Sequence, residues 1–154
     1  MSAVEERLSA LGLTVPEVVP PVAAYVPVVR DGNLVFTSGQ LPMAGGALAA
    51  AGKVGAEVSA EDAKGHAATC ALNAIAAIKS EIGDLDTVAR VIKVVGFVAS
   101  DPSFTGQPGV INGASELLAQ AFGDKGVHAR SAVGVAALPL DAPVEVEVIV
   151  SVEG

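Results

Sequence analysis

The stretch VHARSAVGVAALPLDAPVEVEVIV, Val127–Val150, decides the fold of this chain. Two β-branched runs, Ser131–Ala137 and Val144–Val152, flank Leu138-Pro139-Leu140-Asp141-Ala142-Pro143. The prolines there cannot donate to a ladder, so the segment reads as a connection between two strands. In the second run Glu145 and Glu147 alternate with Val144, Val146 and Val148, which puts both acids on one face of a sheet. Solvated strand acids are the ordinary reading of such a pattern. Arg130 stands at the start of the first strand. It is open to a surface ion pair with Glu145 or Glu147, and equally to a carboxylate clamp. The planar guanidinium fork matches a carboxylate through two parallel hydrogen bonds.

Working outward, Val26–Arg30 and Leu34–Ser38 are β-rich runs around Asp31-Gly32-Asn33, a hairpin. Met43–Gly55, MAGGALAAAGKVG, reads as a small-residue loop with room for a short strand before it. Ser59 opens the clearest helix with a capping box, SAED. Behind it Ala67, Ala71, Ala74, Ile75, Ile78 and Ile82 form an apolar stripe at helical spacing, and Gly83 ends it. Its many alanines allow close approach to a sheet. Val88–Val98 reads as a buried strand containing Gly96, DPSFTGQPG as a loop, and Gly109–Phe122 as a second helix ended by GDKG. At the other end, Ser2-Ala3-Val4-Glu5 has capping-box spacing. A short helix to Gly12 follows, with Val4, Leu8 and Leu11 on one face. PEVVPPVAAYVP carries too many prolines for a helix and reads as an extended lead-in.

The order hairpin, helix, strand, helix, two strands predicts an α+β fold, with one mixed sheet and two helices on one face. We expect a single domain over residues 1–154, with residues 1–24 as an N-terminal extension carrying the short helix. The other sheet face is left uncovered. Hydrophobic residues make up 51% of the chain, and mean hydropathy is +0.57. That surplus points to packing against another subunit. No run of about 18 apolar residues is free of charges or glycines, so no membrane span is expected. The start MSAVEERLSALGL has acids where a secretory signal needs a basic region, so a soluble, cytoplasmic protein is expected.

Net charge is −8, with nine scattered Lys and Arg and 3% aromatics. Phosphate neutralisation needs clustered cations and single-strand binding needs stacking platforms, so a nucleic-acid partner is disfavoured. Cys70 is the single cysteine, which excludes an intrachain disulfide and fits a reducing compartment. Asp62, His66 and Cys70 fall on one helix side at four-residue spacing, but too few further ligands converge for a metal site. A helix flank with a semi-buried thiol is the expected reading. AAAGKVG fails as a phosphate loop, because Val54 follows Lys53 and the glycine spacing is wrong. No GxSxG elbow supports a serine triad.

YVPVVRDGNLVFTSGQLP, from Tyr25 to Pro42, and ARSAVGVAALPLDAPVEVEV, from Ala129 to Val148, resemble the two signature segments of the RidA (YjgF/YER057c/UK114) family. The resemblance runs from about Tyr25 to Val150 and includes the element order. It implies a chorismate-mutase-like fold assembled as a homotrimer, with a barrel-like core of sheets and active sites in clefts between subunits. It also implies hydrolysis of enamine/imine intermediates to 2-oxo acids and ammonia, as by a 2-iminobutanoate/2-iminopropanoate deaminase, without metal or cofactor. By the same resemblance Arg130 grips the substrate carboxylate, and Glu145 helps position water. Tyr25, Ser38, Gly39 and Asn112 fall on pocket positions.

Three departures mark a divergent branch. Pro27 stands for the usual Gln, Ala132 for a frequent Cys, and His128 for the usual Pro two residues before the arginine. One residue is also inserted between Asn112 and Arg130. His128 is thereby an added binding or proton-transfer candidate, set against simple loop packing. Two other classes stay in view: a non-catalytic protein that binds or senses small carboxylates, and an endoribonuclease, the family's older label, which the acidic charge disfavours.

Overall fold

The computed structural model describes residues 1–21 and 23–154. Five strands make one sheet in the order β1 (Val28–Asp31), β2 (Leu34–Thr37), β7 (Val144–Val152), β5 (Val88–Ala99) and β6 (Ala129–Val135). Only β5 and β6 are parallel; the other pairs are antiparallel. A parallel neighbour needs a long crossover, and α3 (Gln107–Phe122) supplies it. The alanine-rich α2 (Ala60–Ile82) lies beside α3 on the same face. Along β7 the valines at 144, 146, 148, 150 and 152 are buried under these helices, while the residues between them are half-exposed. The alternation read from the sequence therefore defines the two faces of the sheet.

Glycines set how close the layers come. At Gly113 an added Cβ would run into the backbone carbonyl of Lys64, and at Gly96 into the side chain of Ile111. Those two positions let α3 seat directly on α2 and β5. Ser59 caps α2, its hydroxyl accepting from the Asp62 N–H at 3.1 Å, and Gly83 closes it at φ +78°. α1 (Ala3–Ala10) is capped by Ser2 and also leans on Asp86, whose carboxylate accepts from the Ala3 and Val4 N–H groups at 2.8 and 3.2 Å. Val4 and Leu8 thus join the core.

Several boundaries differ from the sequence reading. Leu11 is 46% exposed because it forms the C-cap of α1 and turns off the buried stripe. Asp31 pairs within β1, leaving Gly32-Asn33 as a two-residue turn with Gly32 at φ +62°. The small-residue loop contains its own hairpin, β3 (Met43–Ala44) and β4 (Ala47–Leu48), turning on Gly45-Gly46. α3 starts two residues early, because Pro108 fits a first helical turn. β6 starts at Ala129 and stops at Val135. Residues 13–21 and 23–27 of the lead-in form no helix or strand; Val22 lies outside the described residues. No helix among the described residues is long and apolar enough to cross a membrane.

The face of the sheet away from the helices carries Val29, Leu34, Phe36, Val95, Phe97, Val133 and Ile149, with Glu145 and Glu147 among them. Val29 and Val133 remain 51% and 44% exposed.

Candidate functional site

Two separate groups of polar side chains occupy the two sides of the sheet. The first gathers where β2 runs on to meet β7. Ser38 ties the lead-in to the end of β2: its hydroxyl donates to the Val26 carbonyl at 2.5 Å and its N–H to the Pro27 carbonyl at 2.8 Å. Gln40 then exchanges both backbone hydrogen bonds with Val146, at 2.8 and 3.0 Å. This pairing brings Gly39 against Glu145, so that a Cβ at Gly39 would lie 2.5 Å from Glu145 Oε2. The Glu145 carboxylate thus occupies the space that a side chain at position 39 would take. Burial first, and the neighbouring Glu147 second, push the Glu145 carboxyl above its ordinary range. Glu145, Gly39, Gln40 and Tyr25 line a cavity of about 720 Å³ that reaches under the lead-in and the β3–β4 hairpin. Asn73 of α2 fixes that hairpin, donating to the Leu41 and Met43 carbonyls at 3.1 and 3.0 Å.

The second group lies along β6 and α3. Arg130 donates from Nη1 to Ser115 Oγ at 3.2 Å and from Nη2 to the Pro108 carbonyl at 3.0 Å. Ser115 Oγ is 2.8 Å from His128 Nε2, and His128 Nδ1 is 2.6 Å from the Gly126 carbonyl. A carbonyl only accepts, so in the neutral ring the proton sits on Nδ1. The Ser115 hydroxyl then donates to Nε2 while accepting from Arg130. The chain Arg130–Ser115–His128–Gly126 thus has a defined direction. Asn112 lies between Pro108 and Ser115 on the same helix side and is exposed.

Arg130 makes no ion pair with Glu145 or Glu147. Among the described residues the ion pairs are Lys53–Asp141, Lys64–Glu116, Lys79–Glu5 and Lys125–Glu153. The reason is geometric. Arg130 pairs with Val94 on the helix-covered face, whereas Glu145 pairs with Phe97 on the open face, and β5 separates their strands. Tyr25, Gly39 and Glu145 are therefore brought together, Arg130 and His128 are joined through Ser115 with Asn112 one helical turn from that serine, and the two sets do not meet within one chain. Ser38 supports the first set without lining the cavity.

Cys70 is wholly buried, not semi-buried, and its Sγ faces the Val144 carbonyl at 3.8 Å. Burial raises its pKa, so it is no nucleophile. No three His, Cys, Asp or Glu side chains among the described residues are grouped to hold a metal. Sequence reading passed over Ser115, Gln40 and Asn73. Ser115 carried a signal in its place one helical turn after Asn112, and Gln40 in lying within the first signature segment.

A family model described as "YjgF/chorismate_mutase-like, putative endoribonuclease" matches residues 5–151. Protein TCP17 of Trypanosoma cruzi is 43% identical over 150 residues, covering 96% of this chain and 92% of that protein. Among solved structures, Atu1372 of Agrobacterium tumefaciens, described as of unknown function, is 47% identical with a TM-score of 0.93, covering 98% of this chain and 93% of that one. TdcF of E. coli, solved with bound serine, is 27% identical with a TM-score of 0.64, covering 90% and 94%. With the fold, the signature segments and these relatives in agreement, the chain belongs to the RidA (YjgF) family of chorismate-mutase-like proteins.

Proposed function

We propose that this protein hydrolyses 2-imino acids, and the enamines in equilibrium with them, to 2-oxo acids and ammonia. The reaction takes place in a cleft between two copies of the chain within a homotrimer. The observation that carries this reading is the separation of Arg130 from Glu145. A guanidinium with no carboxylate partner among the described residues sits toward one sheet edge. A carboxyl with a raised pKa faces a cavity two strands away. A second copy, packed on the open apolar face, supplies the missing half of each site.

The chemistry asks for little. Arg130 holds the substrate carboxylate through its fork. Ser115 and the Pro108 carbonyl fix the guanidinium before substrate arrives. Water adds to the electrophilic C=N carbon, and Glu145 takes a proton from it. From the protonated imine this gives a neutral carbinolamine; its nitrogen receives that proton, and as the hydroxyl proton passes to Glu145 the C–N bond breaks, so ammonia leaves with the 2-oxo acid behind. A carboxyl with a raised pKa suits both directions of transfer. Tyr25, Gly39 and Asn112 shape the pocket, and His128 orients Ser115. No metal or cofactor enters this scheme, and the single cysteine fits a reducing cytoplasm. The serine bound by TdcF is a small amino acid of the kind from which such imines derive.

A binding protein that holds a small carboxylate without turnover is the second reading. It is favoured by Ala132, which leaves no thiol two residues after Arg130. Ribonuclease activity is opposed by the net charge of −8. Imines generated in situ decide between the first two. A hydrolase accelerates ammonia release and loses this with Arg130→Ala; a binder is stabilised by 2-oxo acids and leaves the rate at its spontaneous value.

A further inference from the structure

We infer that the site accepts 2-imino acids with bulky apolar side chains, of the size of those from leucine, methionine or phenylalanine. The lead-in, residues 16–21, is the wall that sets this preference. The inference rests on the imine-hydrolase reading above and adds the substrate class. The cavity beside Glu145 measures about 720 Å³. Pockets for drug-sized ligands span roughly 300–1,000 Å³, so a three- or four-carbon acid would leave most of this chamber to water. Its apolar lining includes Val18, Val19 and Pro20 of the lead-in, with Leu41 and Met43. Gly45 and Gly46 of the hairpin turn also line it and add no side chain to fill it.

Charge narrows the class further. Among the described residues, the charged groups lining the chamber are Glu17 and Glu145, with no Lys or Arg. A side chain bearing its own carboxylate is therefore repelled. The Asn73 Nδ2 hydrogens are already donated to the Leu41 and Met43 carbonyls, so they are not offered to an acceptor on the substrate side chain. The wall is stiff as well: Pro16, Pro20 and Pro21 fix their own φ and bias the preceding residues to extended backbone. A preformed apolar wall loses little on binding.

Each buried methylene is worth about fourfold in binding, so the leucine-derived imine should exceed the alanine-derived one by at least about tenfold in kcat/KM. The test uses full-length protein and an amino-acid oxidase to supply imines from alanine, leucine, methionine, phenylalanine and glutamate. In parallel, the Kd of each corresponding 2-oxo acid is measured. The expected order places the three apolar substrates first and the glutamate-derived imine last. Val19→Trp and Ala44→Phe, two separate fillings of the chamber, should shrink the leucine-to-alanine ratio toward one. A flat or reversed order in the parent, or equal losses for all substrates in both folded variants, overturns the inference and leaves the hydrolase reading intact. If no imine is turned over but the 2-oxo acids bind in the apolar order, the chamber stands and the hydrolase reading falls. If no 2-oxo acid binds at all, both fall.

Discussion

Gly39 and Glu145 share one space: the carboxylate of the second occupies the place where a Cβ of the first would stand, 2.5 Å from Oε2. The obstructing atom is the end of a flexible side chain, so Gly39→Ala should move the carboxylate and not the fold. We predict a stability change within about 1 kcal/mol and a clear loss of kcat/KM. Gly113→Ala is the contrast. There the obstacle is the Lys64 backbone carbonyl, and separating α2 from α3 should cost about 1–3 kcal/mol or more. Urea denaturation with parallel imine assays checks both, and a fully active Gly39→Ala would remove Glu145 from the mechanism.

Glu145 also predicts a pH dependence of stability. Its native pKa is raised by burial and by Glu147, so the folded chain holds that proton more tightly than the unfolded chain. The corresponding stabilisation is complete below the ordinary carboxylate range and is lost as pH rises through the raised native value. Glu145→Gln lacks this loss. Its Tm should exceed that of the parent at neutral pH, and the gap should close on acidification below about pH 4. A constant gap across that range would show that titration of Glu145 is not the cause.

The relay behind Arg130 predicts a graded pair of variants. Ser115→Ala removes the acceptor of Nη1 and should weaken 2-oxo-acid binding about three- to tenfold with the fold intact. His128→Ala acts only through Ser115, so affinity should fall less. Losing its bond to the Gly126 carbonyl should cost about 1 kcal/mol of stability. Its pH–rate profile should match the parent's; disappearance of one limb would instead make His128 the proton-transfer group.

The open sheet face predicts assembly. Val29, Phe36 and Val133 are 51%, 37% and 44% exposed, a combination that favours burial against further copies. Light scattering behind a sizing column should give about 46 kDa, three chains of 15.2 kDa. Phe36→Glu should shift the protein toward monomer and abolish activity together, because the two halves of the site would part. An active monomer would refute the shared cleft.

Local chemistry made much of this legible in the sequence. The Ser2 and Ser59 caps, the period-two valines of β7 and the Gly32 turn are each decided by neighbours a few residues away, and each was readable. Gly39, Glu145 and Arg130 were singled out by the signature segments. The sequence did not reveal that Arg130 and Glu145 leave opposite faces, because that depends on the parallel crossover through α3. Ser115, Gln40 and Asn73 were missed because their partners lie 13 or more residues away, beyond any local pattern. The β3–β4 hairpin was missed because Ala and Gly carry almost no strand signal.

The burial of Cys70 has a use at the bench. The lone thiol is sealed inside the core at 0% exposure, so a thiol reagent can reach it only when the core opens. Labelling of the native protein should therefore be as slow as that opening, and pulsed alkylation at rising temperature or denaturant would count open molecules directly. The chain thus carries its own single-site clock for structural opening, with no fluorophore or tag to engineer. A ligand that binds the folded protein should slow that clock in proportion to its occupancy.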